Sequence, residues 1–229
     1  FKDVSDVFLL ANTASWSYNW GEMEDSLSAY CLDMKGIEYI PMAWNANFNE
    51  NKIRHWKQTH PQCKYLLAFN EPNLTDQARM TPAEAAAAWP RLKALADELN
   101  MKIVAPAMNY GTLLGYSDPI KWLDEFFALV PKSDVCALSL HCYMGTPSAV
   151  KGYIDRFDKY GLPIWMTEFC GWEQQINSVE AQMGYMCSVV TYMEADPRVE
   201  RYAWFMPRMS GSLNSKPYNQ LLTKMDPIQ

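Results

Sequence analysis

Lys64-Tyr65-Leu66-Leu67-Ala68-Phe69-Asn70-Glu71-Pro72-Asn73, followed by Thr81-Pro82-Ala83-Glu84 and an alanine-rich stretch, reads as one strand-to-helix unit. The apolar run is short enough for a buried strand and stops at polar and turn-forming residues. Thr81 is a capping residue, Pro82 suits the first helical position, and Glu84 completes a capping box, so a helix is expected from there to about Leu99. The same alternation repeats along the chain. Strands are expected at 14–20, 37–44, 64–70, 102–108, 135–143, 163–169 and 200–206. Asp118-Pro119, Thr146-Pro147 and Ser178 open further helices, and Gly161 sits where a helix ending near Tyr160 needs a left-handed residue. Apolar strands alternating with amphipathic helices predict α/β architecture around a parallel sheet.

Working back to the amino terminus, Val4, Val7, Phe8 and Ala11 share one helical face, and Asp3 with Asp6 can charge its first turn. An eighth strand would then precede Asp3, with Phe1 and Lys2 as its remnant, so the chain is expected to begin inside its first strand. The competing reading makes 7–12 that strand. Eight units in 229 residues fit a single (β/α)8 TIM barrel of near-minimal length, one domain over 1–229. An open doubly wound sheet is the alternative, but there is no G-x-G-x-x-G turn, no phosphate-binding G-x-x-x-x-G-K-[ST], and no G-x-S-x-G elbow.

Twenty basic against 26 acidic residues give a net charge of −6, which excludes the electrostatic footprint of a nucleic-acid or anionic-membrane binder. No run of eighteen apolar residues suggests a membrane span, and the first residues lack a signal-peptide pattern, which a cleaved leader would also explain. Six cysteines (Cys31, Cys63, Cys136, Cys142, Cys170, Cys187) with no C-x-x-C pair and three histidines favour disulfides over zinc, with buried thiols as the other reading. No metal or cofactor is expected. Asn73-Leu74-Thr75 matches an N-glycosylation acceptor.

In a barrel, reactive side chains project from the carboxyl ends of the strands. Two of those ends carry a glutamate: Glu71 after Tyr65-Leu66-Leu67-Ala68-Phe69-Asn70, and Glu168 after Ile164-Trp165-Met166-Thr167. A glutamate ending a buried apolar strand is costly unless paired or used. Either alone could be a rim ion pair or a helix cap. Two in one cleft can divide acid and base duties, the arrangement that glycoside cleavage requires.

Further segments make the pattern specific: Ser15-Trp16-Ser17-Tyr18-Asn19-Trp20-Gly21, Pro41-Met42-Ala43-Trp44, Val104-Ala105-Pro106-Ala107, Leu138-Ser139-Leu140-His141-Cys142-Tyr143 and Tyr202-Ala203-Trp204-Phe205. With the two glutamate segments, the whole chain resembles glycoside hydrolase family 128, compact β-1,3-glucanases of clan A. The resemblance implies a retaining β-1,3-glucan hydrolase with Glu71 as general acid/base and Glu168 as nucleophile. It implies Asn70 on a sugar 2-hydroxyl, and Tyr143 and His141 holding Glu168. A non-catalytic β-1,3-glucan-oligosaccharide-binding protein is the alternative, and a β-1,4-glucan or mannan hydrolase of the same clan a third reading. A monomer that is secreted or wall-associated is expected, with glucan as its partner.

Nine tryptophans and thirteen tyrosines are more than a core needs when so many fall at strand ends. Trp16, Trp20, Trp44 and Trp204 are candidate platforms for pyranose rings, Trp204 foremost, with Trp172 as a loop contact. Asn109 is a candidate for sugar hydroxyls or for a turn before Gly111.

Overall fold

The structure, a computed structural model, describes residues 4–208 and 217–222. Among the described residues seven α-helices and seven strands alternate: α1 Val4–Leu10, β1 Trp16–Ser17, α2 Ser26–Lys35, β2 Glu38–Tyr39, α3 Glu50–Thr59, β3 Tyr65–Leu67, α4 Pro82–Glu98, β4 Lys102–Met108, α5 Pro119–Leu129, β5 Val135–Cys142, α6 Pro147–Asp155, β6 Ile164–Phe169, α7 Val179–Ala195 and β7 Val199–Trp204. All pairings are parallel. β1 pairs with β2, and β3 to β7 follow one another in chain order. A bridge from Met42 to Leu67 carries the wall from the β2 segment to β3. The result is a curled α/β half-barrel, an incomplete TIM barrel, with the wall open between β7 and β1 among the described residues. Phe1 and Lys2, the expected remnant of an eighth strand, lie outside them.

The helix starts follow their local chemistry. Thr81 and Glu84 form the reciprocal capping box, and Asp118, Thr146 and Ser178 each accept a backbone N–H at the head of α5, α6 and α7. Gly161 is left-handed as expected, but it ends a single 3₁₀ turn, because α6 stops at Asp155. In α1, Val7 is buried as the periodicity predicted, whereas Phe8 is 45% exposed. No disulfide joins the six cysteines: they are spread over α2, the β3 approach, β5, the end of β6 and α7, and Cys31, Cys63, Cys142 and Cys170 are buried thiols.

Two apolar layers form the core. The larger fills the space between sheet and helices, where Trp89, Leu92, Trp122, Phe126, Tyr153 and Val189 meet the outward faces of the strands. The smaller is the barrel interior: Ile40, Met42, Leu67, Val104, Ala137 and Trp165 make a plug one side chain deep on successive strands. Below it Arg201 lies over the rings of Trp165, Tyr65 and Trp16 and pairs with Glu38 at 2.7 Å.

Across the open seam, side chains replace the missing ladder. Trp16 Nε1 donates to the Tyr202 carbonyl at 3.2 Å. Asp6, expected only to charge a helix terminus, is fully buried and bound by Arg208 at 2.7 Å, so α1 is clasped to the segment beyond β7. Removing the cation leaves a carboxylate with no water to solvate it, so Arg208→Met is expected to lower the free energy of unfolding by about 3–5 kcal/mol. Urea denaturation checks this, and a loss below about 1 kcal/mol would show that the clasp is not what holds the seam.

Candidate active site

Glu168 reaches the barrel mouth through an irregularity in β6. Ser139 pairs with Trp165 and Leu140 with Met166, but His141 pairs with Glu168, so Thr167 is an extra residue on the β6 side. Against β7 the same step recurs, from Met166 opposite Tyr202 to Phe169 opposite Trp204. A bulge of this kind re-aims the following side chain. Strict alternation would send Glu168 outward with Met166. The bulge turns it inward and puts Phe169 on the helix side.

Glu71 is placed by a different device. β3 is tied on both sides near its end, Asn70 N to Trp44 O at 2.9 Å and Ala107 N to Phe69 O at 2.8 Å. Glu71 itself then takes a left-handed backbone, φ 43°, a conformation that costs a non-glycine residue about 1–3 kcal/mol and persists where its surroundings impose it. Asn73 supplies that imposition. Fully buried, it donates through Nδ2 to the Asn109 carbonyl at 2.7 Å, and its own carbonyl accepts from Thr112 and Leu113. Gly111 is obligatory beside it, because a Cβ there would collide with the carbonyls of Asn73 and Tyr116. The glycosylation motif at Asn73 is therefore closed to a glycan in this fold.

His141 joins the two acids. Its Nδ1 lies 2.9 Å from Glu71 Oε1 and 3.5 Å from Glu168 Oε2. The sum of those two contacts is a ceiling on the distance between Glu71 Oε1 and Glu168 Oε2. That ceiling accommodates the about 5–5.5 Å separation of a retaining pair. All three side chains are buried, with Glu71 6%, Glu168 5% and His141 0% exposed.

Each carboxylate is held by its own donors. Glu71 Oε1 accepts from Asn109 Nδ2 at 2.9 Å as well as from His141. Glu168 Oε1 accepts from Trp20 Nε1 at 2.7 Å and Tyr18 Oη at 3.1 Å, and Oε2 accepts from the Tyr143 hydroxyl. Burial works to raise the Glu71 pKa, but the bond to His141, the charge on that ring and the Asn109 amide outweigh it and hold the carboxyl below the ordinary glutamate value. Burial works to lower His141, and the Glu168 charge with the Glu71 bond outweighs it, so the ring holds its proton above the usual histidine range. Burial first, then the Glu168 charge, pushes the Tyr18 and Tyr143 hydroxyls up, so both stay protonated as donors.

The remaining candidates divide. Asn70 is buried at the mouth, with Nδ2 to Gln77 Oε1 at 3.3 Å and its Oδ1 unpaired. Trp172 meets the rings of Tyr143 and Phe205 at 5.8 and 6.4 Å, forming an aromatic wall beside Glu168. Trp44 is half-buried at the rim. The expectations for five residues change. Trp204 is on the opposite face: it pairs in register with outward-facing Phe169, packs on it at 5.1 Å and on Tyr185 of α7, and donates to the Asn219 carbonyl. Trp16 is part of the interior floor, 5.7 Å from Trp165 and stacked on Tyr18. Trp20 and Asn109 are donors to Glu168 and Glu71, and His141 is closer to Glu71 than to Glu168. Two residues were missed, Tyr18 and Phe205. Trp16, Tyr18 and Trp20 alternate, so Tyr18 shares their face, and Phe205 faces the mouth because Trp204 does not, at 5.6 Å from Tyr143.

Among the described residues no helix is long and apolar enough to cross a membrane, and no three His, Cys, Asp or Glu side chains group as metal ligands.

A family profile described as glycosyl hydrolase catalytic core matches residues 2–228. A subgroup II endo-β-1,3-glucanase of glycoside hydrolase family 128 from Pseudomonas viridiflava superposes with a TM-score of 0.87 at 36% identity, covering 97% of this chain and 91% of that one. Two structures of the subgroup I endo-β-1,3-glucanase from Amycolatopsis mediterranei, both 26% identical, each carry one glutamate-to-alanine change. One holds laminaripentaose (TM-score 0.72, 96% and 88% covered), the other laminaritriose and laminaribiose (0.69, 96% and 86%). The two substituted glutamates lie ninety-seven positions apart, the spacing of Glu71 and Glu168 here. Alkali-sensitive linkage protein 1 of Schizosaccharomyces pombe is 25% identical over 202 residues, 84% of this chain, which spans 34% of that curated relative's length.

Proposed function

We propose, on the premise that this chain belongs to the glycosyl hydrolase catalytic core family and within it to glycoside hydrolase family 128, that it hydrolyses β-1,3-glucan with retention of configuration. The observation that supports this reading is the contact of His141 with both Glu71 and Glu168 in one buried cleft, an arrangement compatible with a retaining pair. Glu168 attacks the anomeric carbon while Glu71 protonates the departing glycosidic oxygen. Water then attacks the glycosyl ester with Glu71 as base, and Glu168 leaves as carboxylate. Asn70, with an unpaired Oδ1 at the mouth, suits a sugar hydroxyl donor. Trp172, Phe205 and the rim of Trp44 offer apolar surface to the sugar CH faces. As in its subgroup II relative, cleavage is within chains, so early digestion of laminarin gives a ladder of oligosaccharides rather than glucose alone. The polymer places the enzyme outside the cell or at the wall.

Proton NMR of a laminari-oligosaccharide digest is the test. The first-formed reducing ends are expected to be β-anomers, and α-anomers would overturn the reading.

The acid's proton belongs to a pair. Glu71 and His141, 2.9 Å apart, hold one proton between them in the resting cleft, faced also by Glu168, Asn109 and Tyr143, and the pair titrates as a unit. Because the ring pKa is raised, that proton is present below the ordinary histidine range and is lost as pH rises through the raised value, and acid catalysis is lost with it. In His141→Gln the last proton rests on Glu71 alone. The alkaline limb of the kcat/KM profile is then expected to move to lower pH, and an unmoved limb would exclude His141 from the proton inventory.

A further inference from the structure

We infer that Glu168 attacks through Oε2, and that Trp20 and Tyr18 are positioning residues for Oε1, the oxygen that becomes the ester carbonyl of the glycosyl-enzyme. This rests on the double-displacement reading above. A carboxylate oxygen offers two in-plane lone pairs. Both on Oε1 are taken, one by the Trp20 indole N–H at 2.7 Å and one by the Tyr18 hydroxyl at 3.1 Å. Tyr18 has the Thr167 carbonyl at the same distance, but the charged acceptor draws its single proton. On Oε2 the Tyr143 hydroxyl takes one lone pair and leaves the other. Oε2 is also the oxygen on the side of Glu71, since the ring nitrogen 2.9 Å from Glu71 Oε1 comes within 3.5 Å of it. The oxygen with an unused lone pair is therefore the one on the side that the two acids share.

The donors on Oε1 are fixed in place. Trp20 has a left-handed backbone, φ 61°, and its ring is wedged edge-on between Tyr18 at 5.3 Å and Phe205 at 5.9 Å. Tyr18 is stacked on Trp16 in turn. Both donors come from the segment that opens with β1, whereas Tyr143 follows β5, so the two oxygens of Glu168 are held from separate parts of the wall.

Their effect differs between the two chemical steps. In the first, the C1–Oε2 bond forms as the C1–glycosidic oxygen bond breaks, and Glu71 gives its proton to the departing oxygen. The charge on Glu168 disappears, so donors on Oε1 hold the reactant carboxylate more strongly than the transition state. In the second, a water oxygen bonds to C1, its proton goes to Glu71, and the C1–Oε2 electron pair returns to the carboxylate. Charge reappears on Oε1 in that transition state, where the same donors strengthen. Trp20 and Tyr18 thus accelerate breakdown of the intermediate and do not accelerate its formation.

The test uses Trp20→Phe and Tyr18→Phe with the 2,4-dinitrophenyl β-glycoside of laminaribiose, whose leaving group needs no acid. In each variant kcat is expected to fall about 10- to 100-fold, the loss of one hydrogen bond to a charged group. KM is expected to fall with it, leaving kcat/KM nearly unchanged. A burst of dinitrophenolate equal to the enzyme concentration should appear, with a glycosylated species visible by intact-protein mass spectrometry. A purely structural role would lower kcat and kcat/KM together without a burst, and that outcome, or an unchanged kcat, in both variants would overturn the inference. Glu168→Gln in the same assay separates the two levels. If it is inactive and the Trp20 and Tyr18 variants show no burst, only the Oε1 assignment falls; if it turns over normally, the double displacement falls.

Discussion

Glu168→Gln is expected to reduce turnover of laminari-oligosaccharides by at least about 10⁴-fold while leaving binding and folding close to those of the parent. The substitution is nearly isosteric. The new side-chain carbonyl can still accept from Trp20 and Tyr18, and the Tyr143 hydroxyl can turn to accept from the amide, so the buried network stays satisfied. What disappears is the anionic lone pair that attacks carbon. Reducing-end release measures the first effect and calorimetric titration with laminarihexaose the second. Binding retained with turnover lost is the expected combination. Turnover retained would remove Glu168 from the nucleophile's role, and binding without turnover in the parent protein would establish the glucan-binding alternative.

Glu71→Gln is expected to behave differently, because an acid is needed in proportion to the basicity of the leaving group. On β-1,3-glucan, whose leaving group is a sugar alkoxide, a loss of about 10²–10⁴-fold follows from removing the proton donor. On the dinitrophenyl glycoside the first step proceeds, and the intermediate then waits for a base that is absent. Added azide, which needs no general base, should restore turnover and yield the β-glycosyl azide. The glutamine can still accept from Asn109 and His141, so these readings are of chemistry rather than of a collapsed loop. Equal losses on both substrates, with no effect of azide, would assign Glu71 to binding.

Much of this site was legible in the chain because it rests on strand ends. Asn70-Glu71 and Glu168 each close a short apolar run, and the capping box at Thr81 fixes where the following helix begins. Residue parity was harder to read. Trp204 stands one position from the residue that faces the mouth, and only the register against Phe169 shows that it belongs to the helix layer while Phe205 belongs to the cleft. Glu168 is the inverse case. Counted strictly from Trp165 it should point outward, and the extra residue at Thr167, which no periodicity announces, brings it in. Trp16, Trp20 and Asn109 were recognised as residue types suited to sugars. Their N–H groups are used instead on the Tyr202 carbonyl, Glu168 and Glu71, an outcome set by partners far away in sequence. The cysteine count suggested disulfides, but parity of number says nothing about proximity, and four of these thiols are buried while Cys136 is half-buried and Cys187 exposed.

The opposed placement of Glu71 and Glu168 is tested most directly by trapping the intermediate. Incubation with 2,4-dinitrophenyl 2-deoxy-2-fluoro-β-laminaribioside slows both steps but leaves the first driven by its leaving group. Digestion and tandem mass spectrometry should then place one fluoroglycosyl ester on Glu168, and Glu71→Gln should label at the same residue. Label on another residue, or inactivation with none, would contradict the assignment.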